Sequence, residues 1–190
     1  MKTNFKMLLS AVVLLLFISC KNDASQHENS NASKKTEAKE QLKTGQAFIK
    51  DDGSKPSVLH IAIGSPDHTT LVAAVQAAGL ENSLVNAGPL MVFAPTNEAF
   101  AALPEGTVET LLKPENKEKL AYILKHHVTP GNYSKDFLKK FKKLGQASNE
   151  NIKVEVIDGE VYVGGAKIIA SVKAGNGIVH VVDKVILPKN

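Results

Sequence analysis

Apolar residues recur at helical spacing through the first half of residues 56–188 and at strand spacing through the second. Ser57 is placed to cap a helix carrying Leu59 and Ile63 on one face. Asp67 is placed to cap the next, where Leu71, Val75 and Ala78 align and Gly79 ends the run. Met91-Val92-Phe93-Ala94 reads as a half-buried strand that Pro95 terminates, because proline cannot donate to a ladder. Thr96 follows at an N-cap position, with Glu98 in the first turn and Ala99 and Phe100 turned inward. Thr107 is expected to cap a short helix through Leu111 and Leu112. Pro114 suits the first turn of a longer one bearing Leu120, Ile123 and Leu124. Ser134 can cap a last helix through Phe137, Leu138 and Phe141.

Beyond Val154 the period changes to two. Asp158-Gly159 is a two-residue hairpin signal. Pairing across it sets Val156 opposite Val161 and Val154 opposite Val163, so that all four valines share a face. Gly164-Gly165 and Gly175-Asn176 offer two further turns. Gly177 to Val182 is apolar on both faces and reads as a central, covered strand. Helices followed by a meander of strands define an α+β class.

The N-terminus is patterned differently. Lys2 and Lys6 precede an apolar run from Met7 to Ile18. That run is short for a membrane span, which needs about 20 apolar residues, and it suits a signal peptide spanning residues 1–19. Phe17-Ile18-Ser19-Cys20 resembles a bacterial lipobox, which implies acylation of Cys20 and attachment to membrane lipid. Lys21 stands where the inner-membrane retention signal resembles an Asp, so the resemblance favours the outer membrane, facing inward or outward. Stable anchoring takes more than one acyl chain. With a single cysteine no intrachain disulfide forms, and stability must come from packing. Residues 20–55 are polar, with Leu42, Phe48 and Ile49 as their few large apolar members, and read as a flexible tether. Phe48 and Ile49 fit an arm packed on the domain's own surface better than a docking spot.

Charge excludes one class. The chain has 23 Lys+Arg, all of them Lys, against 19 Asp+Glu, and no Trp. The lysines scatter, so a nucleic-acid partner is not expected. One dense group, Lys135, Lys139, Lys140, Lys142 and Lys143, offers a charge for acidic polysaccharide or phospholipid headgroups, but reads more simply as a solvated helix face. The sequence holds no GxSxG elbow, HExxH, P-loop, CxxC pair or strand-following GxGxxG, so neither catalysis nor a cofactor is expected.

Gly88 to Pro104 and Asn176 to Pro188 together resemble the two signature blocks of the fasciclin (FAS1) family. Leu124 to Tyr133 resembles its third landmark, with His127 at the family histidine and His126 where tyrosine is usual. The resemblance implies a wedge of two small β-sheets flanked by several helices, covering residues 56–188. It implies a non-catalytic adhesion or matrix-binding module, anchored at a cell surface, with a protein or glycan partner. A carrier of an apolar small molecule such as a carotenoid, or an envelope structural protein, is the alternative. The motif residues are Thr96, Asn97, Phe100, His127, His180 and Asp183. Asn97 occupies a position where the family often carries Asp, which weakens any carboxylate-centred site. His126 and His127 are read as neighbours on a strand facing opposite ways. A metal site joining His180 to one of them is one reading. Buried, neutral, hydrogen-bonded His127 and His180 joining two halves of the fold is the simpler one, and no metal is expected.

Overall fold

A computed structural model describes residues 55–86 and 88–188. The proposed signal peptide, Cys20 and nearly all of the tether, including Phe48 and Ile49, lie outside the described residues. Helices α1 (Val58–Ile63), α2 (Thr69–Ala78) and α3 (Glu81–Asn86) precede strand β1 (Leu90–Pro95). Helices α4 (Asn97–Ala101), α5 (Thr107–Leu111) and α6 (Lys117–His126) follow, then β2 (Val128–Pro130) and α7 (Lys135–Leu138). The chain ends in β3 (Lys143–Gly145), β4 (Asn151–Ile157), β5 (Glu160–Val163), β6 (Ala166–Ala174) and β7 (Gly177–Val182). Among the described residues no helix is long and apolar enough to cross a membrane.

The strands run in one order, β2-β1-β7-β6-β5-β4-β3. All seven join in one sheet, whose two parts are linked by β6. Its Ala166–Lys167 end pairs with β5, and the remainder pairs with β7 across a register shift between Ile168 and Ala170. The hairpin at Asp158-Gly159 has the expected register, with Val154 opposite Val163 and Val156 opposite Val161. Asp158 and Gly159 both take positive φ, 51° and 80°, as a type I′ turn demands. Val154, Val161 and Val163 are buried, whereas Val156 at the hairpin end is exposed.

One pairing departs from the meander. Strand β1 lies parallel to β7, with Leu90 beside Gly177 and Pro95 beside Val182. It is also covered on both faces rather than half-buried, and it continues through Pro95. Alternate side chains enter two separate cores. Val92 and Ala94 join Val179 under the helices, with Leu59, Leu71, Val75 and Leu124. Met91 and Phe93 join Ile178 and Val182 on the other face, with Leu138, Val161, Val163 and Ile186. The period of two therefore divides the interior into two cores on opposite faces of the same strand pair.

Helix ends follow local chemistry at several expected places. The hydroxyls of Ser57 and Ser134 accept from the His60 and Phe137 amides, and Gly79 takes the left-handed C-cap conformation with φ 68°. Two expected caps are displaced. A 3₁₀ turn at Pro66–His68 absorbs Asp67 into its first turn, so α2 begins at Thr69 without a side-chain cap from Asp67. Gly106, in the left-handed region, takes the N-cap place expected of Thr107. Pro114 likewise opens a 3₁₀ turn, and α6 starts only at Lys117. The last short helix stops at Leu138, so Lys139 to Lys143 do not form a helix face.

Gly177 sits against the backbone of Leu90 in the neighbouring central strand. A Cβ there would lie 1.8 Å from the Leu90 carbonyl oxygen, backbone that cannot step aside. Gly177→Ala is expected to destabilise the domain by about 3 kcal/mol or more, read by urea denaturation. At Gly159 a Cβ meets nothing within 4 Å, so Gly159→Ala carries only its turn-conformation penalty, about 1 kcal/mol.

Candidate functional site

The first motif block is a junction between helices. Thr96 is extended, and its hydroxyl accepts from the Ala99 amide at 3.2 Å, which caps α4. Asn97 uses both ends of its amide. Its Oδ1 accepts from the Thr70 amide at 3.0 Å and the Thr69 hydroxyl at 3.2 Å, while Nδ2 donates to the Pro66 carbonyl at 3.0 Å. It thereby supplies α2 with the cap that Asp67 does not. A carboxylate could accept these bonds but could not donate to Pro66. Ala99 is the buried member of α4; Phe100 is only half-buried and packs on the edge of the helical core.

Histidines connect the layers. His126 closes α6 and His127 is its C-cap, so the pair lies at a helix end and not on a strand. His127 is buried, and both ring nitrogens have backbone partners. Nδ1 lies 2.8 Å from the Ile123 carbonyl, and the Ile186 amide donates to Nε2 at 2.8 Å. A carbonyl only accepts and an amide N–H only donates, so the ring is neutral with its proton on Nδ1. Burial pushes its pKa down from 6.5 to about 4, against the opposing pull of the Ile123 carbonyl. The His127 carbonyl in turn accepts from the Phe93 amide at 2.8 Å. The Phe93 ring stacks on His180, centroids 5.8 Å apart and planes at 22°.

His180 is fully buried. Its Nε2 donates to the Tyr133 carbonyl at 2.9 Å, and the Ser171 hydroxyl donates to Nδ1 at 2.7 Å. Burial lowers its pKa, opposed by the Tyr133 carbonyl. All four ring nitrogens of His127 and His180 are thus committed to protein partners. Among the described residues no group of three or more His, Cys, Asp or Glu side chains is placed to hold a metal ion. His126 makes a separate contact with the Ser148 hydroxyl at 2.9 Å, with Glu150 at 3.6 Å, and burial lowers its pKa too. His68, which sequence reasoning passed over, is also buried. Its Nδ1 meets Ser65 Oγ at 2.8 Å, but Nε2 has no hydrogen-bond partner among the described residues.

The second motif block fastens the chain ends. Asp183 Oδ1 accepts from the Lys167 amide at 2.7 Å and the Asp183 amide donates to the Lys167 carbonyl at 3.2 Å, one residue beyond the Ile168–Val182 pair of β6 and β7. Asn176 was visible in sequence only as a turn residue. In the structure its Oδ1 accepts from the Val58 amide at 2.9 Å, and Nδ2 donates to the Leu84 carbonyl at 2.7 Å. One amide therefore ties the start of α1 and the end of α3 to the β6–β7 turn.

Beneath the helices lies a cavity of about 220 Å³. Its wall includes Leu59, Leu71, Val75 and Leu84 from the helices, and Val92 and Val179 from the central strands. Ser83, Lys125 and Ala147 are exposed members of the wall and mark its opening. No motif announced this space, because a sequence records side chains and not the gaps among them.

An α+β module whose buried polar groups tie helices to a two-faced strand pair, beside an apolar cavity, is the class that fold and site define. The Fasciclin domain model matches residues 66–188, and the chain belongs to that family. It is 48% identical over 136 residues to Protein sll1483 of Synechocystis, covering 71% of this chain and 75% of that one. It is 35% identical over 133 residues to transforming growth factor-beta-induced protein ig-h3 of Sus scrofa, covering 70% of this chain but 19% of that protein. A FAS1 domain pair from the insect cell adhesion molecule fasciclin I has the same fold, with TM-score 0.62 and 18% identity. That match covers 70% of this chain and 51% of the pair.

Thr96→Ala is expected to cost about 1 kcal/mol, and Asn176→Ala about 1–3 kcal/mol because it leaves buried backbone groups unpaired. Denaturant titration measures both. His127 sets a pH dependence with a definite sign. The unfolded ring takes a proton near pH 6.5, whereas the folded ring resists until about 4. Stability is therefore complete above pH 6.5 and falls by about 3 kcal/mol as pH drops to about 4. Replacing the ring by His127→Gln should remove that share of the pH slope, leaving the smaller shares of the other buried histidines.

Proposed function

We propose that this chain is a non-catalytic adhesion module, held at the cell envelope by lipid on Cys20 and presented to a protein or glycan partner by the tether of residues 20–55. Family membership supports the adhesive role, since the fold is shared with a molecule described as a cell adhesion molecule. The observation that carries the proposal is an aromatic cluster that ends in one exposed ring. Phe137 is 42% exposed and stacks on Tyr133 at 5.5 Å, while Phe141 tilts against Tyr133 at 5.1 Å and meets Phe137 edge-on at 5.6 Å; Tyr133 and Phe141 are partly buried against the second core. Lys140 places its ammonium 5.0 Å from the Phe137 ring centre. Lys135 and Lys139 are held by Glu160 and Asp136, whereas Lys140, Lys142 and Lys143 are exposed and make no ion pair among the described residues. An exposed ring beside the unpaired Lys140 ammonium suits the apolar face and the acidic groups of a charged glycan.

The cavity favours a second reading, a carrier of a small apolar molecule. Its volume of about 220 Å³ falls below the usual range for a drug-sized ligand, so it does not enclose a whole carotenoid.

Phe137→Ala combined with Lys140→Gln is expected to weaken binding to immobilised heparin about tenfold, the loss of one aromatic anchor, while the thermal midpoint stays within a few degrees. Unchanged binding would remove the cluster from the proposal. Cys20→Ala should move the protein from the membrane fraction to the soluble one, and protease added to whole cells should release the domain. Full protection from protease would place it inside the envelope.

A further inference from the structure

We infer that the cavity under α1, α2 and α3 is a binding site for a medium-chain alkyl carboxylate, with the chain inside and the carboxylate at Lys125. This rests on the carrier reading and adds a ligand class to it. Protein interiors are close-packed, with few voids larger than a water molecule. A space of about 220 Å³, partly open to solvent, breaks that packing and leaves the surrounding leucines and valines without protein contact partners on one side.

The wall selects against water. Its interior polar ring is His127, and both nitrogens of that ring are occupied by Ile123 and Ile186. A water molecule needs two to four polar partners, and the leucine and valine wall offers none. Apolar cavities of this kind stay dry and take up hydrocarbon; one of about 150 Å³ admits benzene. Scaled from that case, the volume here holds about nine carbons. An extended polyene is excluded, and a single alkyl chain of moderate length fits.

The mouth selects the head group. Lys125 is exposed on the last turn of α6, forms part of the cavity wall and makes no ion pair among the described residues. The C-terminal carbonyls of α6 are themselves partly negative, so it is the ammonium that attracts an anion here. Ser83 on α3 is a further exposed polar residue of the wall.

The test is calorimetric titration of the full chain with straight-chain carboxylates of six to fourteen carbons, kept monomeric, and with the matching 1-alkanols. Affinity should rise about fourfold per methylene to a length of about nine or ten carbons and then level off. Lys125→Gln should weaken the carboxylates about threefold to fivefold and leave the alkanols unchanged. If alkanols bind as tightly as carboxylates, or Lys125→Gln changes nothing, the head-group assignment is wrong while the carrier reading stands. If neither series binds, both are wrong. Val75→Phe, which fills the space, should abolish binding of both series. Binding retained by a folded Val75→Phe protein overturns the site, and should that variant not fold, Lys125→Gln decides alone.

Discussion

The parallel contact between β1 and β7 is the constraint on which the rest of the molecule depends. Both strands are apolar on both faces, so neither can lie at a surface. Each must have cover above and below and a neighbour on either side. The helices supply one cover, the β4–β5 hairpin with Leu138 and Ile186 supplies the other, and β2 and β6 occupy the outer edges. The glycine at the head of β7 exists because this contact brings backbone against backbone, where no side-chain atom fits.

Polar groups inside such a structure are stable only when fully paired. His127 and His180 meet that condition with opposite tautomers, the proton on Nδ1 in one and on Nε2 in the other. His127 cannot accept a second proton without losing the Ile186 amide, whereas the Ser171 hydroxyl beside His180 could turn from donor to acceptor. The two rings behave as rigid connectors between segments that share no ladder, α6 with the stretch after β7, and β7 with the segment ahead of α7. Phe93 stands between them, bonded to one through its amide and stacked on the other through its ring.

Much of this was readable because it is local. The Asp158-Gly159 turn fixes its own register, Ser57, Thr96 and Ser134 cap the residues next to them, and the two-faced apolar run of β7 announces a covered strand. The misreadings have physical causes. Asp67 and Thr107 have good capping chemistry, but a proline-led 3₁₀ turn and a left-handed glycine reached the helix starts first. Four consecutive apolar residues in β1 looked half-buried because alternation says nothing when both faces are apolar. His126 and His127 sit where a helix hands over to a strand, and period alone does not say which side owns them. Asn97 and Asn176 act on backbone groups far away in sequence, so nothing beside them marks their roles. Of the motif residues, Thr96, His127 and His180 are held by hydrogen bonds in the manner the sequence suggested, whereas Phe100 is less deeply set.

The order of synthesis meets this topology awkwardly. Strand β1 leaves the ribosome long before β7 exists, and until Gly177 to Val182 arrive it has two oily faces and a bare edge. The interior can close only when nearly the entire domain is available, because the stretch holding Ile186 follows β7. Until the segment from Gly177 to Ile186 has been made, neither core of the domain can close, so folding waits on a stretch that lies more than eighty residues after the strand it must cover.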